Sequence, residues 1–264
     1  MGVTRREFLR IAGVGTLLGI GGKSAIDILS EDKPEASEFV QRPEAIIGKR
    51  WAMVIDAKKC LEKVERDGGC KGCVVACHKA HNVPDFGNPK DEIQWIWSEP
   101  YEHTFAGQEY EYVKEGMKGK PFLVLCNHCE NPPCVRVCPT KATFRRADGI
   151  VMMDYHRCIG CRFCMAGCPF GSRSFNWRDP RPFLKDTNPD FPTRMKGVVE
   201  KCTFCAERLA IGLIPACVEA CTDKALVFGD LENPDSEVRN ILRSNYAIRR
   251  KPELGTMPQV YYIL

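Results

Sequence analysis

The chain has little histidine, five residues in 264, and these five (His78, His81, His103, His128 and His156) are scattered rather than paired. It has no nucleophile motif and no flavin or pterin signature, and the glycines of GVGTLLGIGG follow no strand, so they do not make a nucleotide loop. Substrate chemistry has no home in such a sequence. Net charge is also small, because 38 basic residues nearly balance 34 acidic ones. Of the formal net charge of +4, residues 1–23 carry +3 through Arg5, Arg6, Arg10 and Lys23 against Glu7. The remainder is near neutral and carries no nucleic-acid footprint. Beyond that segment no apolar run reaches the ~20 residues needed to span a bilayer. At 44% hydrophobic, the chain nevertheless has the means to bury a core.

Cysteine is what the sequence has in excess. Its sixteen cysteines fall into four groups of four: Cys60, Cys70, Cys73 and Cys77; Cys126, Cys129, Cys134 and Cys138; Cys158, Cys161, Cys164 and Cys168; Cys202, Cys205, Cys217 and Cys221. The third group, CIGCRFCMAGCP, has the C-x2-C-x2-C-x3-C-P spacing of bacterial ferredoxins. Three thiolates on one short loop wrap three corners of an iron-sulfur cube, and the fourth reaches a neighbouring cube. The proline after it turns the chain away. The second group, CNHCENPPCVRVCP, repeats the plan, and offsets of 32, 32, 30 and 30 residues between corresponding cysteines mark an internal duplication. Group four stretches the middle gap and group one the first gap, and both insertions are free to loop outward.

Zinc sites pair separate C-x2-C knuckles, whereas three of these groups are compact runs. Cysteines crowded three residues apart offer few well-shaped disulfides, although an exported chain with an even count invites that reading. CVVACH has three residues between Cys73 and Cys77, which does not fit c-type haem attachment at His78. Iron-sulfur clusters suit the spacing best. The fourth-cysteine rule then predicts four 4Fe-4S clusters in two exchanging pairs: Cys126, Cys129, Cys134 with Cys168; Cys158, Cys161, Cys164 with Cys138; Cys60, Cys70, Cys73 with Cys221; Cys202, Cys205, Cys217 with Cys77. His78 and Thr222 stand where proline is usual, which leaves a three-iron centre open as the alternative in the outer pair.

The intervening segments predict an α+β fold of two interleaved dicluster ferredoxin-like modules with long loop insertions. WAMVIDAKKC and KPFLVLC read as strands leading into groups one and two. TKATFRRADGIVMMDYHRC reads as a hairpin turning at Asp148-Gly149, and GSRSFNW and TDKALVFGD as short strands. Short helices are expected after the third cysteine of each group. The predicted organisation is a twin-arginine export signal at 1–30, a linker at 31–48 and a four-cluster domain at 49–230. Within that domain, 49–83 with 198–230 form an outer module, 122–180 an inner module and 84–121 an insertion, and an extension at 231–264 follows. In the signal, Arg5 and Arg6 precede Phe8, Leu9 and a short apolar run, a route for proteins folded with their cofactor before export. Arg145, Arg146, Arg157, Arg162, Arg173, Arg178 and Arg181 are candidate counter-charges for anionic clusters. Trp95, Trp97, Tyr101 and Phe105 in the insertion either bind a partner or shield a cluster.

The runs LCNHCENPPCVRVCPTKAT, GIVMMDYHRCIGCRFCMAGCPFGSRSFNW and EKCTFCAERLAIGLIPACVEAC, with the ending ELGTMPQVYYIL, resemble the four-cluster ferredoxin-type subunits of membrane oxidoreductase complexes. That group includes the electron-transfer subunits of polysulfide, dimethyl sulfoxide and tetrathionate reductases, and the resemblance extends to the exported iron-sulfur subunits of membrane complexes linked to dissimilatory sulfite reductase. It implies an electron relay with no substrate chemistry of its own. It also implies an integral membrane quinone-handling partner, a multihaem cytochrome c and iron-sulfur subunits on the cytoplasmic side. The alternative it allows is the relay subunit of an exported molybdopterin reductase. The stretched first interval of group one departs from the common pattern of the family.

Overall fold

Strand β1 (Trp51–Asp56) is apolar at every position except its last. In the computed structural model, which describes residues 43–108 and 117–264, both of its faces are covered. Trp51, Met53 and Ile55 face the main core, and Ala52 and Val54 face the opposite way onto Leu231 and Val238. This is the period-two alternation of a strand sandwiched between two layers. The sheet around it runs β8-β1-β10-β9, with β8 (Leu226–Asp230) antiparallel to β1, β10 (Val260–Ile263) parallel to it, and β9 (Ala247–Ile248) on the outer edge. Residues 231–264, set apart in the sequence as an extension, thus complete the central sheet.

Helix α1 (Ala57–Arg66) follows β1 at once, because the Asp56 carboxylate accepts from Lys59 N at 3.0 Å and caps its first turn. The next helix, α2 (Gly72–Ala80), carries both Cys73 and Cys77. Strand β2 (Ile96–Pro100) and the one-turn helix α3 (Tyr101–Thr104) come from the insertion, and β2 pairs antiparallel with β3 (Pro121–Leu125) from Ile96↔Leu125 to Pro100↔Pro121. The aromatics of this segment are core residues: Trp95 and Phe105 are fully buried, and Tyr101 and Trp97 nearly so. They shield the interior and offer no partner surface.

The inner residues form the short helix α4 (Pro133–Arg136), the hairpin of β4 (Thr143–Arg145) and β5 (Val151–Met153), helix α5 (Phe163–Ala166) and β6 (Ser174–Phe175). The hairpin turns at Asp148-Gly149, where Gly149 has φ 87°. β6 pairs with β7 (Val199–Glu200), which leads into group four and the one-turn helices α6 (Ala206–Leu209) and α7 (Ala216–Glu219). Helices α4, α5 and α7 each contain the third cysteine of their group, beginning two residues earlier than the sequence suggests. Prolines at or just before the first turn, Pro133 and Pro215, set two of these starts. Helix α8 (Glu237–Ser244), capped by Ser236, covers the outer face of the sheet with Val238, Ile241 and Leu242. Helix α2 packs on α7, and α4 packs on α5.

The twin-arginine segment and the linker up to residue 42 lie outside the described residues, as do residues 109–116 of the insertion. Among the described residues, no helix is long and apolar enough to cross a membrane.

Candidate metal centre

The C-x2-C loops share one backbone device. The residue two after the first cysteine has positive φ in three groups: His128 at 41°, Gly160 at 70° and Phe204 at 52°. Left-handed backbone at that point turns successive N–H groups toward the same side, which builds a concavity for an anionic sulfur. Phe204 N donates to Cys202 Sγ at 3.4 Å. At Gly160 a Cβ would lie 2.5 Å from the Gly197 carbonyl oxygen, so that loop requires glycine. A second device closes each of these groups: three residues after the last cysteine, Lys141, Gly171 and Lys224 also have positive φ and donate their N–H back to the carbonyls of Cys138, Cys168 and Cys221. Ala225 N then reaches Cys221 Sγ at 3.2 Å. Group one lacks this turn because α2 runs on past Cys77.

These loops gather thiols from different groups, and all sixteen cysteines are free of disulfides. Burial first, then Cys70 and Cys221, pushes Cys60 up to about 11, and burial, Cys60, Cys70 and Cys221 push Cys73 up to about 12. Cys77 is raised by burial and then by Cys202, Cys217 and Cys205. Cys129 is pushed up to about 12 by burial and Cys126, with Cys134 and Cys168 adding to it while the Thr256 hydroxyl eases it down. Cys126, Cys129, Cys134 and Cys168 line one hollow with Pro132, Pro133 and Arg173. Burial also raises Cys164, with smaller contributions from Cys134 and Cys158, and Cys138 and Cys158 pack into the same small core as Cys164. Cys161 is half-buried on the loop between Cys158 and Cys164. Cys138 differs in sign: burial pulls it up, but donors from Thr143, Thr140 and Ala142 outweigh that and hold it below the ordinary value.

Neighbouring sets also approach one another. Cys73 raises Cys77 and Cys217, Cys126 raises Cys202, and Cys134 raises Cys164.

The donor chemistry fits iron-sulfur clusters. Four thiols crowded into one site cannot all ionise without a polyvalent cation among them. Buried polar atoms beside the cysteines, Asn127 Nδ2, His128 Nε2 and Thr203 Oγ1, have no protein partner, consistent with donors awaiting a sulfur-rich group. His128 is held by Val151 N donating to Nδ1 at 3.1 Å and by stacking on Phe204, and burial followed by Lys201 and Arg173 keeps it well below the usual histidine value.

Of the seven candidate arginines, one is at the site. Arg173 is buried and donates through Nη2 to Cys134 Sγ at 3.0 Å and to Thr143 Oγ1 at 2.8 Å. Arg146, Arg157, Arg178 and Arg181 pair with the surface carboxylates Asp148, Asp154, Asp91 and Asp179. Arg162 lies over the rings of Phe175 and Trp177, and Arg145 is exposed.

Four buried polar residues, His81, Arg194, Glu200 and Lys201, carry no sequence signal. His81 faces the Cys77 carbonyl through Nδ1 at 2.8 Å and donates to Glu207 through Nε2 at 2.8 Å, and Cys205 joins this pair within 4.8 Å. Glu200, fully buried, accepts from Trp95 Nε1 at 2.9 Å, Asn176 Nδ2 at 2.5 Å and Arg194 Nη2 at 2.7 Å. Lys201 follows Glu200 and is equally enclosed. Only the placement of these residues around β7 and next to the aromatic insertion could have flagged them.

A 4Fe-4S dicluster domain matches residues 120–181 and 189–231. The Hdr-like menaquinol oxidoreductase iron-sulfur subunit 1 of Archaeoglobus fulgidus is 42% identical, over 98% of this chain and 97% of its own. Menaquinone reductase, iron-sulfur cluster-binding subunit, of Nitratidesulfovibrio vulgaris is 37% identical over 81% of this chain and 88% of its own. A tetrathionate reductase subunit of Salmonella typhimurium is 34% identical over 100% of this chain and 89% of its own. The chain belongs to the family of 4Fe-4S ferredoxin-type iron-sulfur subunits of oxidoreductases, and its cofactors are 4Fe-4S clusters.

Proposed function

We propose that this chain is an electron relay holding four 4Fe-4S clusters in two interleaved ferredoxin-like modules, each pair exchanging its fourth cysteine. The ligand sets are Cys60, Cys70, Cys73 and Cys221; Cys77, Cys202, Cys205 and Cys217; Cys126, Cys129, Cys134 and Cys168; and Cys138, Cys158, Cys161 and Cys164. When bound, such clusters supply one-electron redox chemistry. The protein's part is to hold them in a fixed order, to keep water out with Trp95, Phe105 and Phe204, and to set potentials through donors such as Arg173 and the amide of Phe204. The observation that carries this reading is the hollow in which Cys126, Cys129 and Cys134 meet Cys168, the last cysteine of the next group.

The relay would join an integral membrane quinone-handling subunit to a multihaem cytochrome c in a sulfur-metabolism complex, with the twin-arginine segment sending it to the outer face of the cytoplasmic membrane. In support, two of the similar subunits are named for menaquinol and menaquinone. A second reading, the relay subunit of an exported molybdopterin reductase, is favoured by the likeness to the tetrathionate reductase subunit along the whole chain. Purification of the native complex through a tag on this chain distinguishes the two. Haem c without molybdopterin supports the first reading, molybdopterin in stoichiometric amount the second, and neither overturns both.

A further inference from the structure

We propose that Lys201 is a fixed positive charge set between two cluster sites, and that it raises the reduction potentials at both. The proposal rests on the reading that the Cys126 set and the Cys77 set each carry a cluster. Lys201 is 0% exposed, a condition rare for lysine unless it is paired. Its Nζ donates to the carbonyl oxygens of Val151 and Cys202, and it makes no ion pair with a carboxylate among the described residues. Two carbonyls satisfy hydrogen bonds but supply no counter-charge, so the ammonium is left uncompensated in a low-dielectric core.

Its charged surroundings show where the compensation comes from. Its two carbonyl partners place it between two sets: Val151 lines the hollow of Cys126, Cys129, Cys134 and Cys168, and Cys202 is itself a thiol of the other set. Burial pulls the lysine below its ordinary pKa, and Cys126, Cys202 and Cys134 pull it back up, with Arg173 the other cation nearby. The ring of His128 also senses the Lys201 charge. Because Lys201 bridges the carbonyls of Val151 and Cys202, and Cys126 raises the Cys202 thiol, the lysine stands at the junction where an electron would pass between sets. A four-thiolate cluster is an anion, and it gains one further negative charge on reduction. A buried, poorly screened cation favours the more negative state, and one that adjoins two sites favours it at both. The chain fixes its position from both sides: β7 pairs with β6 immediately before Lys201, and the Val151 carbonyl belongs to the inner hairpin.

The test is an EPR-monitored redox titration of anaerobically purified, full-length holoprotein, wild type against Lys201→Met and Lys201→Arg. Four reducible centres in the wild type support the underlying reading, and fewer than four sinks that reading independently of the lysine. In Lys201→Met, two of the four centres should lose at least tenfold in their reduction equilibrium constants, about 59 mV downward for a one-electron couple. The other two should stay put, and Lys201→Arg should recover most of the shift. Unchanged potentials in a fully loaded Lys201→Met, a shift at one centre alone, or an equal shift at all four would overturn the proposal. If Lys201→Met loses iron, Lys201→Gln, which keeps a donor for a carbonyl, takes its place. Loss of iron from both variants would make the lysine a strut and overturn the proposal as well.

Discussion

Arg194→Met should destabilise the domain by about 3–5 kcal/mol, because it leaves a fully buried carboxylate without its cation. Arg194 and Glu200 are both 0% exposed at their side chains and meet at 2.7 Å. The guanidinium also donates to the carbonyls of His81 at 2.5 Å, Asn82 at 2.8 Å and Pro192 at 2.9 Å, all of which would lose that donor. Trp95 and Asn176 would go on donating to Glu200, which places the loss at the lower end of the range. Against a typical total of about 5–15 kcal/mol, the effect is large. The pair ties the aromatic insertion, β6, β7 and the end of α2 into one knot over the Cys77 set. The double variant Arg194→Met with Glu200→Gln should cost less than the sum of its parts, since it removes both charges. The assay is guanidinium unfolding of anaerobic holoprotein, followed by tryptophan fluorescence and by visible absorbance, comparing midpoints and unfolding rates because a metal-loaded chain is not expected to be two-state. A loss below about 1 kcal/mol in Arg194→Met, or strict additivity in the double variant, would refute the reasoning.

Exchange of fourth cysteines makes a selective prediction: Cys168→Ala should deplete the centre of Cys126, Cys129 and Cys134 while sparing that of Cys158, Cys161 and Cys164, and Cys138→Ala should do the reverse, both read by iron content and EPR. Arg173→Met should lower the potential of the Cys126 centre by roughly 30–65 mV: a charge-assisted bond is worth about 1.5–3 kcal/mol, about half of that is assigned to the difference between oxidation states, and 100 mV corresponds to about 2.3 kcal/mol. No shift in a fully loaded variant would count against that bond. Asp223 binds Arg66 at 2.8 Å and Lys63 at 3.3 Å, pinning the helix of Cys60 to the loop after Cys221, so Asp223→Asn should hasten chelator-driven iron loss from that set. The Asp223 carboxyl is held below its ordinary 3.8, chiefly by Arg66, so its contribution is complete above 3.8 and fades as pH falls through the lower folded value. The difference between wild type and Asp223→Asn should therefore be constant near neutrality and close only in acid.

The cysteine groups were legible because the ligands of a cluster loop are local in sequence, and spacing alone shows which thiols can share a loop. The hairpin at Asp148-Gly149 and the strands ahead of groups one and two were legible for the same reason. What was not legible is long-range. Nothing in QVYYIL says that it pairs parallel to β1, some 200 residues earlier, because parallel pairing leaves no turn signature. Trp95 and Phe105 looked equally suited to a partner or to a core until β2 paired with β3 and buried them. Seven arginines crowd the central repeat, and only tertiary packing distinguishes Arg173, on Cys134, from those that pair with surface carboxylates. Lys201, beside the conspicuous Cys202, reads as an ordinary surface lysine until its burial is seen.

The most direct test of the central claim is the metal and sulfide content of protein purified without oxygen. About sixteen irons and as many acid-labile sulfides per chain, with zinc absent, is the expected result for four cubes on sixteen thiols. Four zincs and no labile sulfide, or half the iron with two groups of cysteines still open to alkylation, would contradict it.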